Sequence, residues 1–416
     1  MLRSGWRDGL PSAASRATDF LGRLSARRAT RKPLPFSTPP VDQGADSRPR
    51  RPLRNISYYH ELITMIGETL RIGISGPSRL TSYTHSTPMK VTVFSTLAFE
   101  RPFLEQANAG RHELQLLDVR LSADTVALAQ GSQAICVFAP DDVSEPILTK
   151  LHDLGVRCVA VRAAGYDNVD LAAATRLGMH VATVPEYSPY AIAEHAVTLI
   201  LALCRHLRQA DRQLRANDFC LDELIGFDLH GKTVGILGLG HIGAVVARIL
   251  HGFGCRLLGV DVQPNEELTR RYDLRYVTLP ELCAQADIIS VHIPLNDQTH
   301  HLIDDQLLAQ MKPGVLLVNT GRGGVLDTAA ALRALDSGQL GYLGLDVYEG
   351  EKGLFFGNHS TEPLHDDTFA RLLTYQNVFI TGHQAYLTRE ALTNIADATL
   401  ASLNAWDQDQ PAPHEL

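Results

Sequence analysis

From Met89 onward the chain alternates between two textures. Apolar runs (KVTVFS, HELQLLDV, AICVFA, VRCVAVRA, MHVATVP) are separated by segments of helical periodicity: a polar one through Phe103, then SADTVALAQ, SEPILTKLHDLG and DLAAATRLG. Continuous apolarity is what strands buried on both faces require, and helices between them let successive strands run parallel. A long apolar helix, predicted from about Tyr190 to Arg215, leads into a second series of the same kind. Its strands are TVGILG, RLLGVD, YVT, DIISVHI, GVLLVNT, YLGLDVY and VFITG, with helices at AVVARILHGF, PELCAQA, DQLLAQMK, TAAALRALDSG and FARLLT. A last helix, from about Thr388 to Trp406, has no strand after it and must dock on something already built. The expected fold class is α/β, with two Rossmann-like doubly wound parallel-sheet domains separated by a cleft. Docking the last helix on the first unit makes that domain discontinuous, 89–189 plus 386–416, around a second domain at 190–385.

Chemistry enters with KTVGILGLGHIG. An apolar strand runs into Gly238, Gly240 and Gly243 and then into a helix, the arrangement a dinucleotide needs. Gly238 permits the tight turn, Gly240 lets the backbone approach the pyrophosphate, Gly243 lets helix and strand pack closely, and the helix N-terminus offers free N–H groups to the phosphates. A second strand, CRLLGVDV, ends in Asp261, 18 residues after Gly243, where an acid accepts hydrogen bonds from the adenosine ribose. Val262 and Gln263 follow, with no Lys or Arg to meet a 2′-phosphate, so the expected cofactor is NAD rather than NADP.

Three further segments each put a polar group just past an apolar run: VLLVNTGRGG around Arg322, GLDVYEGE ending at Glu351, and NVFITGHQA around His383. In an open parallel sheet the ligand crevice lies outside the carboxyl ends of the strands, so residues distant in sequence converge there. A guanidinium, a carboxylate and an imidazole suffice to reduce a 2-keto acid once hydride is supplied. One such residue alone in a loop is usually a solvated surface group. Three at successive strand ends point to a site.

Composition narrows the partners. The 416 residues, 45% apolar, can hold two ordinary domains. Residues 1–88 carry 14 Lys plus Arg against 6 Asp plus Glu, a balance of +8, leaving −16 for the remainder. A remainder that acidic argues against nucleic acid. Six cysteines without metal-type spacing read as reduced thiols in a cytoplasmic protein. No apolar stretch reaches the roughly 18 to 20 residues of a membrane span. His300/His301 and His359/His365 lie in polar segments without a supporting ligand pattern, so no metal is expected. Residues 1–88, rich in Arg, Ser and Pro, read as a disordered extension. A transit peptide fits Asp8 and Asp19 poorly, and a start assigned upstream of a natural beginning at Met89 is the favoured explanation.

The ordered features resemble the D-isomer specific 2-hydroxyacid dehydrogenases, and within them the D-lactate branch. The match runs from Met89 to the C-terminus through VRAAGYDNVDL, VPEYSPYAIAEHA, GKTVGILGLGHIG, HIPL, MKPGVLLVNTGRGG, LDVYEGEKGLFF and TGHQAYLT. One departure is Gly321, where the family usually has Ser; only its backbone should matter.

The resemblance implies a role for each site residue. His383 is the proton donor, and Glu351 the adjacent carboxylate that stabilises its cation. Arg322 grips the substrate carboxylate with a planar fork and polarises the carbonyl. Backbone N–H groups of Ala164 and Gly165 complete the carboxylate site. Tyr187 caps the substrate pocket, or else packs against the interdomain helix. Carried over to the cofactor are His241 and Ile242 at the pyrophosphate, Ile293, Pro294 and Thr299 toward the adenosine, Thr320, Gly321 and Arg322, and Asp346 for the nicotinamide carboxamide. His292 reads as structural or near the cofactor. The implied reaction is NADH-dependent reduction of pyruvate to D-lactate by a homodimer packed through its apolar helix. A dehydrogenase for larger 2-keto acids, and an NAD-sensing corepressor-like protein without turnover, are the alternatives.

Overall fold

The computed structural model describes residues 88–416, and the expectations for the preceding extension fall outside the described residues. The first sheet contains β1 (Lys90–Val93), β2 (Glu113–Leu116), β3 (Ala134–Val137), β4 (Cys158–Val161) and β5 (His180–Ala182), all parallel in the order β2-β1-β3-β4-β5. Every position of β3 and β4 is buried, because helices cover both faces as the unbroken apolar runs require. The helix expected at SADTVALAQ shrinks to a 3-10 turn, Val126–Ala129. The Thr125 hydroxyl accepts from the Ser122 N–H and donates to the Arg120 carbonyl at 2.5 Å, and such local bonds compete with a helical start.

The second sheet contains β6 (Thr233–Leu237), β7 (Arg256–Val260), β8 (Arg275–Tyr276), β9 (Ile288–Val291), β10 (Val315–Asn319), β11 (Leu340–Leu345) and β12 (Val378–Ile380), ordered β12-β11-β10-β9-β6-β7-β8. Its neighbours too are all parallel. Strand order reverses between β6 and β9, and Gly238 lies just past the end of β6. Ligands bind at such switch points.

Two helices correct the expectation of one continuous element from 190 to 215. The first, Pro189–Cys204, starts with the Ser188 hydroxyl accepting the Ala191 N–H at 3.1 Å; the second, Leu207–Arg215, follows after a 61° bend. At the break His206 takes a left-handed φ of 51°, and the Cys204 carbonyl accepts the N–H of Phe227 instead of a helical partner. Gly226 comes so close that a Cβ there would stand 2.1 Å from the Cys204 oxygen. The apolarity of the first helix is used within the chain, since Ala193, Val197, Leu199, Ile200 and Leu203 pack with β6, β9 and β10. Among the described residues no single helix is long and apolar enough to cross a membrane.

The C-terminal helix, Arg389–Trp406, lays Ala396, Leu400, Leu403 and Trp406 against Val91, Val93, Leu104 and Ala160 of the first sheet and its covering helix. Beyond it the tail forms an antiparallel bridge between Glu415 and Ala182. The Thr183 N–H donates to the His414 carbonyl and the Leu416 N–H to the Val181 carbonyl, so the tail extends the sheet beyond β5.

Candidate active site

Arg322 follows β10 in a turn that Asn319 builds. The buried Asn319 amide accepts the Gly321 N–H at 3.0 Å and donates to the Arg322 carbonyl at 2.9 Å. The guanidinium donates from Nε to Asp167 at 3.1 Å and from Nη1 to the Gly321 carbonyl at 2.9 Å. Nη2 lies over Gly165, where a Cβ would stand 1.7 Å from it. Only a residue without a side chain leaves this guanidinium in place.

Glu351 sits in the loop after β11, with Oε2 accepting the Tyr348 N–H at 3.0 Å and Oε1 lying 2.8 Å from Nδ1 of His383. His383, two residues beyond Thr381 at the end of β12, has a left-handed φ of 52°, a conformation that costs energy in a non-glycine residue. With Nδ1 engaged by the carboxylate, Nε2 is the nitrogen left for the cleft. Phe356 also has a positive φ, 65°; its ring lies 5.5 Å from that of His383 and 5.3 Å from Phe138.

A cavity of about 520 Å³ between the two sheets takes in Arg322, Glu351 and His383 together with Ala164, Gly165 and Tyr187. Thr320, Gly321, Ile242 and Asp346 also line it. Burial pushes the Tyr187 phenol up to about 12 against the opposing pull of Arg322, so its hydroxyl stays a donor at working pH. Tyr187 lines the cavity, and its ring also meets Tyr386 edge-on at 6.5 Å. Asp346 is fully buried. Burial alone would raise its carboxyl, but hydrogen bonds from His195, Thr381 and the N–H groups of Gln384 and Ala385 outweigh it and hold it below the ordinary value. Phe138, Phe356 and Asp167 shape the site without a signal in the sequence, because their importance comes from contacts across long sequence separations; Asn319 acts locally, through the turn it builds.

A second cavity of about 260 Å³, lined by Gly240, His241, Ile242, Gly243 and His292, shares Ala164, Tyr187, Ile192 and Ile242 with the first. The glycine turn fits a dinucleotide. Gly238 has φ 90° and lies against the His292 carbonyl, and a Cβ on Gly243 would stand 2.0 Å from the Gly238 oxygen. A Cβ on Gly240 would meet nothing within 4 Å, so the approach is open. The helix that starts there, His241–Gly252, has no side-chain cap, which leaves its first-turn N–H groups for an anion. Thr320 Oγ1, just past the end of β10, is buried without a partner, as expected of a group awaiting a ligand.

Asp261 accepts the Leu239 N–H at 2.5 Å and the Gln263 N–H at 2.8 Å, tying the turn to the end of β7. The following Val262 is exposed and Gln263 uncharged, which suits a ribose and not a 2′-phosphate. Ile293 wedges between the two turns, its side chain against Gly238 and its carbonyl against Gly321. Thr299 donates to the Pro294 carbonyl at 2.6 Å and shapes the rim. His241 pairs through its side chain with Glu186, so what it can offer a phosphate is its backbone N–H. His292 is half-buried, and loss of solvent drives its imidazole down to about 4, which leaves it neutral and unfit as an acid at neutral pH. His300 and His301 stack at 4.1 Å, His301 pairs with Glu349, and His359 pairs with Glu362.

Residues 197–385 match the family described as D-isomer specific 2-hydroxyacid dehydrogenase, NAD binding domain. A D-lactate dehydrogenase of Curvularia clavata is 46% identical over 333 residues, 79% of this chain and 95% of the relative. The apo structure of D-lactate dehydrogenase from Escherichia coli superposes with a TM-score of 0.72 at 42% identity, covering 79% of this chain and all of the other. A D-lactate dehydrogenase from Aquifex aeolicus, solved with NAD and lactic acid, gives 0.71 at 32% identity, covering 78% and 98%. The chain belongs to the D-isomer specific 2-hydroxyacid dehydrogenases, NAD-dependent oxidoreductases acting on the CH–OH group of D-2-hydroxy acids.

Proposed function

We propose that the chain is a D-lactate dehydrogenase that reduces pyruvate to D-lactate, with His383 as proton donor. The observation that carries this reading is the 2.8 Å contact between His383 Nδ1 and Glu351 in the same cavity as Arg322. Bound NADH supplies the hydride to the keto carbon; the chain's own residues do the rest. Arg322, with the N–H groups of Ala164 and Gly165, holds the substrate carboxylate and draws electron density from the adjacent carbonyl. His383 gives the proton from Nε2 to the oxygen as negative charge develops there, and Glu351 opposite Nδ1 stabilises the imidazolium until it does. One hydride and one proton convert the ketone to the alcohol, so the step balances.

A small substrate suits the walls of the cavity. Phe356, Phe138, Tyr386 and Tyr187 crowd one another in that order, with ring centroids 5.3, 5.9 and 6.5 Å apart in successive contacts. His241, Ile242, Ile293, Pro294, Thr299, Thr320, Gly321 and Asp261 are assigned to NAD on the geometry above. Asp346 is assigned to the nicotinamide end, although its carboxylate already serves four donors of the chain.

In this reading residues 89–189 with 386–416 move as the substrate domain, and 190–385 as the cofactor domain. The protein works in the cytoplasm as a homodimer. The apolar helix Pro189–Cys204 is consumed internally, but Leu207, Leu214, Phe219, Leu221 and Ile225 just after it are all exposed, and these form the proposed contact.

Initial rates of NADH and NADPH oxidation with pyruvate, 2-ketobutyrate, phenylpyruvate and hydroxypyruvate test the reading. Pyruvate with NADH should have the highest kcat/KM. A preference for phenylpyruvate would move the chain to the larger 2-keto acids, and NADH binding without turnover would make it a sensor.

A further inference from the structure

His195 lies on the helix Pro189–Cys204, far in sequence from the three site residues, with Nε2 2.9 Å from the Thr381 hydroxyl and 3.3 Å from Oδ1 of Asp346. The hydroxyl of Thr381 is 2.6 Å from the same Oδ1, and its single hydrogen goes to that carboxylate. Its lone pair therefore faces His195, so Nε2 of the imidazole must carry a hydrogen and share it between Thr381 and Asp346. The tautomer follows from the network.

Asp346 in turn takes hold of three consecutive N–H groups. Its main-chain oxygen accepts His383 at 2.7 Å, and its carboxylate accepts Gln384 and Ala385, each at 2.9 Å. These bonds keep His383 in its left-handed conformation. The Asp346 N–H donates to Asn319 at 3.0 Å, whose side chain clamps the turn of Arg322. Asp346 thus ties together the two turns that present the guanidinium and the imidazole, by its main-chain N–H on one side and its carbonyl and carboxylate on the other.

We propose that His195 is a positioning residue for the proton donor, acting by hydrogen bonding to Thr381 and Asp346 to fix the turn that carries His383. The proposal rests on the reading of His383 as donor. Without the His195 hydrogen the buried Oδ1 turns toward its remaining donors and drags the Gln384–Ala385 backbone with it. Small misplacements of a reacting group cost rate more than binding, and about 1 Å costs on the order of a hundredfold.

The test compares His195→Leu, His195→Gln, Thr381→Val and the double variant His195→Leu/Thr381→Val with His383→Asn, using NADH and the best 2-keto acid. His195→Leu and Thr381→Val should each lower kcat by about tenfold or more while KM changes by less than about threefold. His195→Gln, whose amide nitrogen reaches the position of Nε2, should restore kcat to within about threefold of the parent, and the double variant should be no slower than the slower single. Should His195→Leu fail to fold, Thr381→Val and His195→Gln decide in the same way. Unchanged kcat in Thr381→Val, loss in His195→Gln equal to that in His195→Leu, or additive losses overturns the proposal. If His383→Asn retains turnover, the donor assignment falls; if His383→Asn is inactive while the other variants keep full kcat, only the role of His195 falls.

Discussion

Gly165 and the guanidinium of Arg322 are in such close contact that a methyl group on the glycine would stand 1.7 Å from Nη2. One belongs to the turn after the first sheet's β4 and the other to the turn after the second sheet's β10, so the proposed carboxylate site depends on the sheets meeting here. Gly165→Ala should push the guanidinium aside and raise KM for the keto acid by about tenfold to a hundredfold. NADH affinity, measured by fluorescence titration, should stay as it was.

His383→Asn removes the imidazole proposed as proton donor but leaves Arg322 in place. Its kcat should fall by about 10²- to 10⁴-fold, the usual worth of a positioned acid. Glu351→Gln keeps the shape of the loop and removes the anion 2.8 Å from Nδ1, so kcat should fall by a smaller factor, of about tenfold or more. Pre-steady-state traces of NADH absorbance would show whether hydride transfer itself has slowed.

Gly243→Ala sets a methyl 2.0 Å from the Gly238 oxygen. Backbone against a Cβ cannot be relieved by a rotamer, so the glycine turn proposed for the pyrophosphate must open. NADH binding should weaken by about tenfold or more, roughly 1.4 kcal/mol or above, in a direct titration.

His292 links stability to pH. Its imidazole falls from an ordinary 6.5 to about 4 because burial disfavours the cation. Between those values the unfolded chain binds a proton that the folded chain refuses, so stability present above about 6.5 is lost as pH falls toward 4. The loss is about 3 kcal/mol at the acid end. In His292→Gln that part of the loss should vanish. Urea midpoints at pH 7 and pH 5 would move closer together than those of the parent, and equal spacing would sink the assignment.

Exposed Leu214 and Ile225 test the dimer. Leu214→Asp with Ile225→Asp should halve the mass measured by light scattering at micromolar concentration without unfolding the chain. A parent protein that is itself a monomer refutes the contact.

Much of the architecture was legible because buried parallel strands are apolar on both faces, and TVGILG, GVLLVNT and AICVFA each became a strand. The glycine turn and Asp261 were legible because a backbone geometry demands them. The break at His206 was not, since it depends on Phe227 returning to the Cys204 carbonyl. Nor was the place of Asn319 or His195. Each sits in an ordinary apolar pattern; the turn that Asn319 closes shows only once the chain is folded, and His195 gains work for its polar atom only when Thr381 and Asp346 arrive beside it. The apolarity of the helix Pro189–Cys204 also had a use that the sequence hides, because much of it is covered by the chain's own second sheet.

The tail from His414 to Leu416 has a consequence for handling the protein. Its bonds to Val181, Ala182 and Thr183 occupy the outermost strand of the smaller sheet, and a strand left open on that side is a template for pairing with another molecule. The tail is anchored by Glu415, which receives the indole N–H of Trp406 at 3.1 Å and faces His180 at 2.6 Å. Trimming these three residues would uncover that rim, so clumping between molecules would appear before any defect in turnover.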